Sequence, residues 1–283
     1  YDQFLPTPYS AENAEEGKRD AKKALRERLG LRQDRDCPVV GVVSRLTTQK
    51  GIHLIKHAAY RTLDRGGQFV LLGSAPDPKI QADFDGLAGQ LGGDMGAFCY
   101  AYDEPLSHLI YAGCDVILVP SMFEPCGLTQ MIAMRYGSVP VVRQTGGLRD
   151  TVFDVDHDAE RSESEGKGGT NGFTFEGADQ GGMDYALHRA IDRWYGGGAN
   201  GNGGGQEEGT PGAHAWRCTV TVLSRGTEAV HLAVDMHQPH LFCSCALFTV
   251  EQSEVGPGQL HQFIDLHGPR CISGSTGPAD RAL

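Results

Sequence analysis

Short, wholly apolar segments that alternate with amphipathic ones constrain the fold of this 283-residue chain more than any other feature. The apolar segments are Val39–Val43, Phe69–Leu72, Val116–Val119 and Val139–Val142. Between them, apolar residues recur at the three- and four-residue spacing of helices. Strands that are continuously apolar are buried on both faces, and helices between them make the strands parallel. The pattern therefore predicts an α/β fold with a doubly wound, Rossmann-like parallel sheet.

The chain divides by composition into three parts. Residues 1–35 are an extended segment and a leading helix, which we expect over Asn13–Leu29 with Gly30 as its C-cap. Residues 36–195 hold the α/β pattern, with a polar, Gly-rich surface loop at 158–170 and a last helix over Met183–Tyr195. Residues 196–283 are expected to be a Gly-rich linker and an unrelated, disordered tail, because 9 of the 17 residues at 196–212 are glycine.

The tail contains a misleading motif. Gly196, Gly198 and Gly201 match the spacing of a dinucleotide-binding loop, but they follow a helix instead of a strand. We therefore assign them no ligand. The composition of the tail fits translated non-coding sequence better than an evolved module.

Charge and hydropathy exclude several functions. The net charge of −11 argues against a general nucleic-acid binder, because an acidic surface repels phosphates. No stretch approaches the roughly 20 apolar residues that a membrane span needs. The first residues have neither the apolar core of a secretory signal nor the Arg/Ser-rich composition of a transit peptide. Any phosphate site must therefore be local, built from a few cations and backbone amides.

Two cations follow the first strand of the pattern. Arg45 and Lys50 lie in the segment SRLTTQKG, between that strand and the next helix. Ligands of doubly wound sheets bind at the carboxyl ends of the strands, and cations at a helix N-terminus suit a diphosphate. The alternative is a solvated loop with ordinary surface charges.

A second candidate segment, FEPCGLTQ, follows the strand Val116–Val119. Gly127 lets a ligand approach the backbone, and the amides of Leu128 and Thr129 open a helix and can donate to phosphate oxygens. A carboxylate at Glu124 suits sugar hydroxyls or positive charge at an anomeric carbon. The alternative is that Glu124 caps the helix and that the glycine shapes the turn.

Two weaker candidates complete the set. Gly146 and Gly147 follow the strand Val139–Val142, where they either expose amides to a ligand or form a tight turn. Tyr102 either stacks on a base or is a half-buried surface tyrosine.

Taken together, these segments resemble the starch synthases of plants and algae and their bacterial relatives, the glycogen synthases. The matching stretches include SRLTTQKGIHLIKHA, VLLGSAPDP, YDEPLSHLIYAG, DVILVPSMFEPCGLTQMIAMRYG and VPVVRQTGGLRDTVFDVDHD. The resemblance runs from about Tyr9 to Tyr195 and is closest to class three, with class four next. It implies the C-terminal half of a GT-B glycosyltransferase, which binds the nucleotide sugar and lacks the family's N-terminal domain.

The resemblance also implies roles for the candidate residues. Arg45 and Lys50 would neutralise the ADP leaving group, and Glu124 would contact the donor glucose. Gly127, Leu128 and Thr129 would hold the phosphates, Tyr102 would lie near the adenine, and Gly146 and Gly147 belong to a TGGL-like loop. Glu124, Arg45 and Lys50 are thus the expected catalytic residues, with neither a metal nor a cofactor.

The implied reaction is transfer of glucose from ADP-glucose to the non-reducing end of an α-1,4-glucan with retention. The implied location is the plastid stroma, with possible association with other enzymes of starch synthesis. Because half of the expected cleft is missing, a second hypothesis is a catalytically incomplete fragment that binds the donor or glucan. A third is a related retaining glycosyltransferase that uses another nucleotide sugar.

Overall fold

A six-stranded, fully parallel sheet forms the centre of the structure, which we describe from a computed structural model for residues 2–167 and 169–196. The strands are β1 (Val39–Val43), β2 (Gln68–Leu72), β3 (Gly96–Cys99), β4 (Val116–Val119), β5 (Val139–Arg143) and β6 (Phe173–Phe175). Their order across the sheet is β3-β2-β1-β4-β5-β6. This order confirms the predicted doubly wound, Rossmann-like sheet.

Eight helices accompany the sheet within the described residues. They are α1 (Ala14–Leu29), α2 (Ile52–Asp64), α3 (Pro78–Leu91), α4 (Glu104–Gly113), α5 (Thr129–Arg135), α6 (Gly146–Thr151), α7 (Ala159–Ser164) and α8 (Gln180–Trp194). Among these, none is long and apolar enough to cross a membrane. The leading helix ends as predicted, with Gly30 in the left-handed conformation at φ 68°.

The two faces of the sheet carry two separate cores. Alternate residues of a strand point to opposite faces, so Val40 packs with α2, α3 and α8, while Val39 packs with α1 and α4. Ala21 and Leu25 of α1 are fully buried in the second core. The leading helix α1 thus packs on the same face of the sheet as α4. The boundaries at residues 35 and 195 stay a prediction, and all but the first residue of the expected tail at 196–283 lies outside the described residues.

One prediction about an element was wrong. The polar segment 158–170, expected to be a loop, contains the helix α7. Arg161 organises this helix: its guanidinium binds the Asp158 carboxylate and donates to the backbone oxygens of Arg149 and Val152, each at 2.9 Å. It also lies 4.2 Å from the centre of the Phe153 ring. These contacts with residues outside the segment are not visible in its composition.

Candidate active site

The candidate site lies where the order of the strands reverses. The loop after β1 and the loop after β4 leave the carboxyl ends of two adjacent strands, and the chain winds outward from this pair in both directions. In doubly wound sheets, the crevice at this switch point is the usual ligand site. Arg45 and Lys50 lie on the first loop, and Glu124 lies on the second.

The two loops are packed tightly against each other. Lys50 ends a single 3-10 turn, Thr48–Lys50, which Gly51 follows at φ 71°. A Cβ atom at Gly51 would lie 2.1 Å from the backbone oxygen of Pro120, so a larger residue does not fit. The Met122 N–H donates to the backbone oxygen of Gln49 at 2.7 Å. Glycine at position 51 is therefore what allows Lys50 to reach the β4 loop.

Lys50 and Glu124 form an ion pair at the centre of this crevice. Their side chains are 19% and 14% exposed, so the pair is partly shielded from water. Ser121, which is buried, donates its hydroxyl to the same carboxylate oxygen, Glu124 Oε2, at 3.1 Å. The hydrogen bonds that the carboxylate accepts from the described residues come from Lys50 and Ser121, and none comes from an amide of α5. The helix-capping interpretation of Glu124 therefore fails.

Arg45, on the loop after β1, is exposed. Among residues 2–167 and 169–196, no hydrogen bond or ion pair of its guanidinium is found. Its charge is therefore available to a ligand without the loss of an interaction within these residues.

The predicted glycines bring the β5 loop against the β4 loop. Gly146 has a φ of 45°, and a Cβ atom on it would lie 2.2 Å from the backbone oxygen of Glu124. The Gly147 N–H donates to that same oxygen at 3.0 Å. The two residues thus fix the backbone of Glu124. Their amides are therefore not both available to a ligand, and the Gly147 amide fits the tight-turn alternative that the sequence left open.

Gly127 has a φ of 67° and precedes α5. No acceptor within the described part of the chain pairs with the N–H groups of Leu128 and Thr129, and the Leu128 side chain is 65% exposed. Unpaired N–H groups at this point can bind an anion together with the nearby cations.

Tyr102 lies apart from the other candidates. It follows β3, at the edge of the sheet and two strands away from β1, and it is 88% exposed. Within the described residues, none of the other candidate residues contacts the Tyr102 ring. It is therefore more exposed than the half-buried tyrosine that the sequence left as the alternative.

Two further residues shape the site and were not found from the sequence. Arg143, the last residue of β5, donates to the backbone oxygens of Met122 at 2.6 Å and Glu176 at 3.1 Å. It thereby joins the loops after β4, β5 and β6. Gln130 is fully buried and donates to the Gly127 oxygen at 2.7 Å, while its own Oε1 has no partner within the described chain.

The loops after β1 and β4 together carry two cations, a carboxylate and two backbone amides that have no acceptor among the described residues. The cations and amides suit the phosphates of a nucleotide, and the carboxylate suits a polar or cationic group beside them. Within the part of the chain that the structure describes, no three His, Cys, Asp or Glu side chains are grouped as metal ligands.

Comparison with known proteins identifies the class. Residues 22–158 match the family model of the group 1 glycosyl transferases. A soluble starch synthase 3 of Solanum tuberosum is 64% identical over 199 residues, which is 69% of this chain and 16% of that protein. Starch synthase 3 of Arabidopsis thaliana is 66% identical over 199 residues, 69% of this chain and 19% of that protein. Both carry the description chloroplastic/amyloplastic.

A solved structure agrees in fold and sequence. The catalytic domain of starch synthase IV from Arabidopsis thaliana, bound to ADP and acarbose, is 51% identical, with a TM-score of 0.65. The similarity covers 69% of this chain and 38% of that domain. The chain thus spans less than a fifth of the two starch synthases and under half of the solved domain.

This part of the chain has a parallel sheet and, over residues 22–158, matches the family model of the group 1 glycosyl transferases. More narrowly, it is a catalytic region like those of starch synthases of classes three and four.

Proposed function

We propose that this chain is the donor-binding part of a starch synthase, which transfers glucose from ADP-glucose to the non-reducing end of an α-1,4-glucan with retention. The observation that carries the proposal is the Lys50–Glu124 pair at the switch point of a sheet whose relatives are starch synthases. The ADP bound to the Arabidopsis thaliana catalytic domain supports the choice of nucleotide.

In this proposal, the diphosphate takes the position between the two cations. Arg45 and Lys50 neutralise the charge that develops on the leaving ADP, and the amides of Leu128 and Thr129 donate to phosphate oxygens. Gly127 leaves room for this approach, while Gly146 and Gly147 hold the backbone of Glu124. Tyr102 contacts the adenine, which requires the nucleotide to extend across the sheet edge from β1 to β3.

Glu124 acts on the glucose that the diphosphate carries. When Lys50 binds phosphate, its charge is shared, and the Glu124 carboxylate can bind sugar hydroxyls or stabilise positive charge at the anomeric carbon. Ser121 keeps one carboxylate oxygen in place during this exchange. No step of this account requires a metal, since the two cations supply the positive charge.

The plastid stroma is the proposed location, because the two class three relatives are described as chloroplastic/amyloplastic. The α-glucan acceptor and any associated enzymes of starch synthesis are proposed partners on the same grounds.

Donor binding to the 283-residue chain tests the proposal. Calorimetry should show binding of ADP-glucose and clearly weaker binding of UDP-glucose. Lys50→Ala and Arg45→Ala should each weaken ADP binding about tenfold, since each removes a charge-assisted contact with phosphate. The matched control is Lys79→Ala, which removes an exposed lysine at the start of α3. Equal affinity for the two nucleotide sugars, or equal effects of Lys50→Ala and Lys79→Ala, would contradict the proposal.

A second candidate is that the chain binds donor or glucan without transferring glucose. It is favoured by the small part of each relative that the chain spans. The two candidates share the donor site and differ in whether labelled glucose reaches a glucan.

A further inference from the structure

Two exposed aromatic side chains meet on the flank of the domain, beside the edge strand β6. Tyr185 lies in α8 and is 53% exposed, and His157 is an exposed residue in the turn before α7. The Nε2 atom of His157 lies 2.9 Å from the Tyr185 hydroxyl. No contact within the described residues joins this pair to Lys50 or Glu124. We call Tyr185 and His157 the aromatic platform.

The planes of the two rings of the aromatic platform are close to parallel. The angle between their planes is 20°, and their centres are 6.0 Å apart. A ring nitrogen of histidine makes its hydrogen bond in the plane of the imidazole, so the Tyr185 oxygen lies close to that plane. The same oxygen lies in the plane of the tyrosine ring. Two planes that share this atom and differ by 20° form one nearly flat surface.

The platform is supported from beneath by Arg189. Its guanidinium lies 4.4 Å from the centre of the Tyr185 ring and makes two hydrogen bonds of 2.8 Å to the fully buried Asp154 carboxylate. An arginine held in this way covers one face of the tyrosine and restrains the ring. Tyr185 is 53% exposed in spite of this contact, so part of its ring remains accessible to a ligand.

We propose that the aromatic platform is a second glucan-binding site, separate from the donor crevice. The inference rests on the proposed function for its ligand, since a glucose polymer is long enough to contact the enzyme outside the reaction site. One face of a glucose ring carries C–H groups that pack on a flat aromatic surface, while its hydroxyls need polar partners at the rim. Asp156 and Arg193 provide such partners, with side chains 26% and 38% exposed and 2.9 Å apart.

Other ligands suit this surface less well. Two rings cover far less area than the roughly 800 Å² that each partner contributes to a standard protein interface. Nucleic acid is disfavoured by the net charge of −11. A sugar matches both the small flat area and the mixed charges beside it.

Maltoheptaose binding to the full chain, measured by calorimetry, tests the inference. Tyr185→Ala should weaken binding about tenfold, whereas Tyr185→Phe, which keeps the ring, should weaken it by less than about threefold. His157→Ala leaves Tyr185 on Arg189 and should weaken binding about threefold, because it shortens the platform. The matched control is Tyr60→Ala, which removes a 39% exposed tyrosine of α2 that donates to Gln90.

Two outcomes would overturn the inference: no binding of maltoheptaose to the unmodified chain, or equal affinities of the Tyr185→Ala and Tyr60→Ala variants. If Tyr185→Ala does not fold, His157→Ala decides in its place, and unchanged affinity in that variant also overturns the inference. ADP binding measured on the same samples separates this site from the donor crevice. If the unmodified chain does not bind ADP, the result counts against the proposed function. If maltoheptaose binding is weakened only in the platform variants, the result supports the second site.

Discussion

At the residue scale, the Lys50–Glu124 pair predicts competition between the carboxylate and a nucleotide. A diphosphate can engage Lys50 fully only by displacing Glu124, and both side chains are partly shielded from water. Glu124→Gln removes this competing charge, so we expect ADP to bind about three- to fivefold more tightly. Glu176→Gln, which changes an exposed carboxylate on the β6 loop, should leave the affinity unchanged. Calorimetry with ADP measures both, and weaker binding by Glu124→Gln would mean that Glu124 holds the nucleotide itself.

Gly146 gives a second prediction at this scale. Alanine there would combine a left-handed backbone at φ 45° with a Cβ atom 2.2 Å from the Glu124 oxygen. Gly166 is a matched control, because its φ is 65° but nothing lies within 4 Å of the added atom. We expect Gly166→Ala to lower the free energy of unfolding by about 1 kcal/mol and Gly146→Ala by about 3 kcal/mol or more. Urea unfolding measures both, and equal losses would mean that the β5 loop moves aside freely.

The sequence patterns predicted those candidate site residues that directly follow a strand or lie in the loop after it. Lys50 and Glu124 were each predicted as site residues because they follow strands, and ligands of doubly wound sheets bind at the carboxyl ends of strands. Their ion pair was not predicted. Ser121, Gln130 and Arg143 were missed, since their roles depend on hydrogen bonds to atoms remote in sequence. Arg143 had a usable signal: it is a cation that directly follows the apolar run Val139–Val142, and Arg45 follows the run Val39–Val43 two residues on.

At the scale of elements, the strands were the most predictable part of the fold. β1 and β4 have the predicted bounds, while β2 begins one residue earlier and β5 ends one residue later than predicted. Their apolar runs are long enough to be recognised without any knowledge of their neighbours. By contrast, α7 was missed because its stability depends on Arg161, which reaches backbone oxygens outside the helix. Local composition predicts elements well only where local interactions determine them.

The ion pair between Asp154 and Arg189 links the segment before α7 to α8 and should make this link sensitive to acid. Burial opposes ionisation of Asp154, but hydrogen bonds from Arg189 and the Thr174 N–H outweigh it and lower the pKa of Asp154 below its usual value. A carboxylate whose pKa is lowered in the folded state stabilises the fold above the unfolded pKa of about 3.9. This stabilisation is lost as the pH falls below that value.

Asp154→Asn should therefore lower the free energy of unfolding by about 3 kcal/mol at pH 7, because it leaves Arg189 without its buried partner. The difference from the unmodified chain should shrink as the pH falls below about 4. Asp150→Asn, at an exposed position in α6, should have little effect at either pH. Urea unfolding at pH 7 and pH 3 measures both variants, and a loss for Asp154→Asn that does not change with pH would mean that Asp154 acts through its shape alone.

At the scale of the whole molecule, we expect the chain to bind the nucleotide sugar without transferring its glucose. The crevice at the switch point is formed by loops from one edge of a single sheet, and Arg45 and Leu128 are exposed there. The chain spans 38% of the solved catalytic domain that it resembles. Binding of a diphosphate needs only cations and amides, which this edge provides. Transfer needs more, because donor and acceptor must be held together while water is excluded.

We therefore expect the chain to bind ADP-glucose and to transfer no measurable glucose. Incubation with radiolabelled ADP-glucose and glycogen should leave the glycogen unlabelled, under conditions where calorimetry shows the donor site to be mostly filled. Weaker binding of ADP-glucose by the Lys50→Ala variant in the same calorimetry would show that the donor binds in the crevice. Label in the glycogen above background would contradict the expectation, and it would mean that one sheet edge can orient both substrates. Loss of the label in Glu124→Ala would then assign the activity to this site, whereas its persistence would assign it to a contaminant.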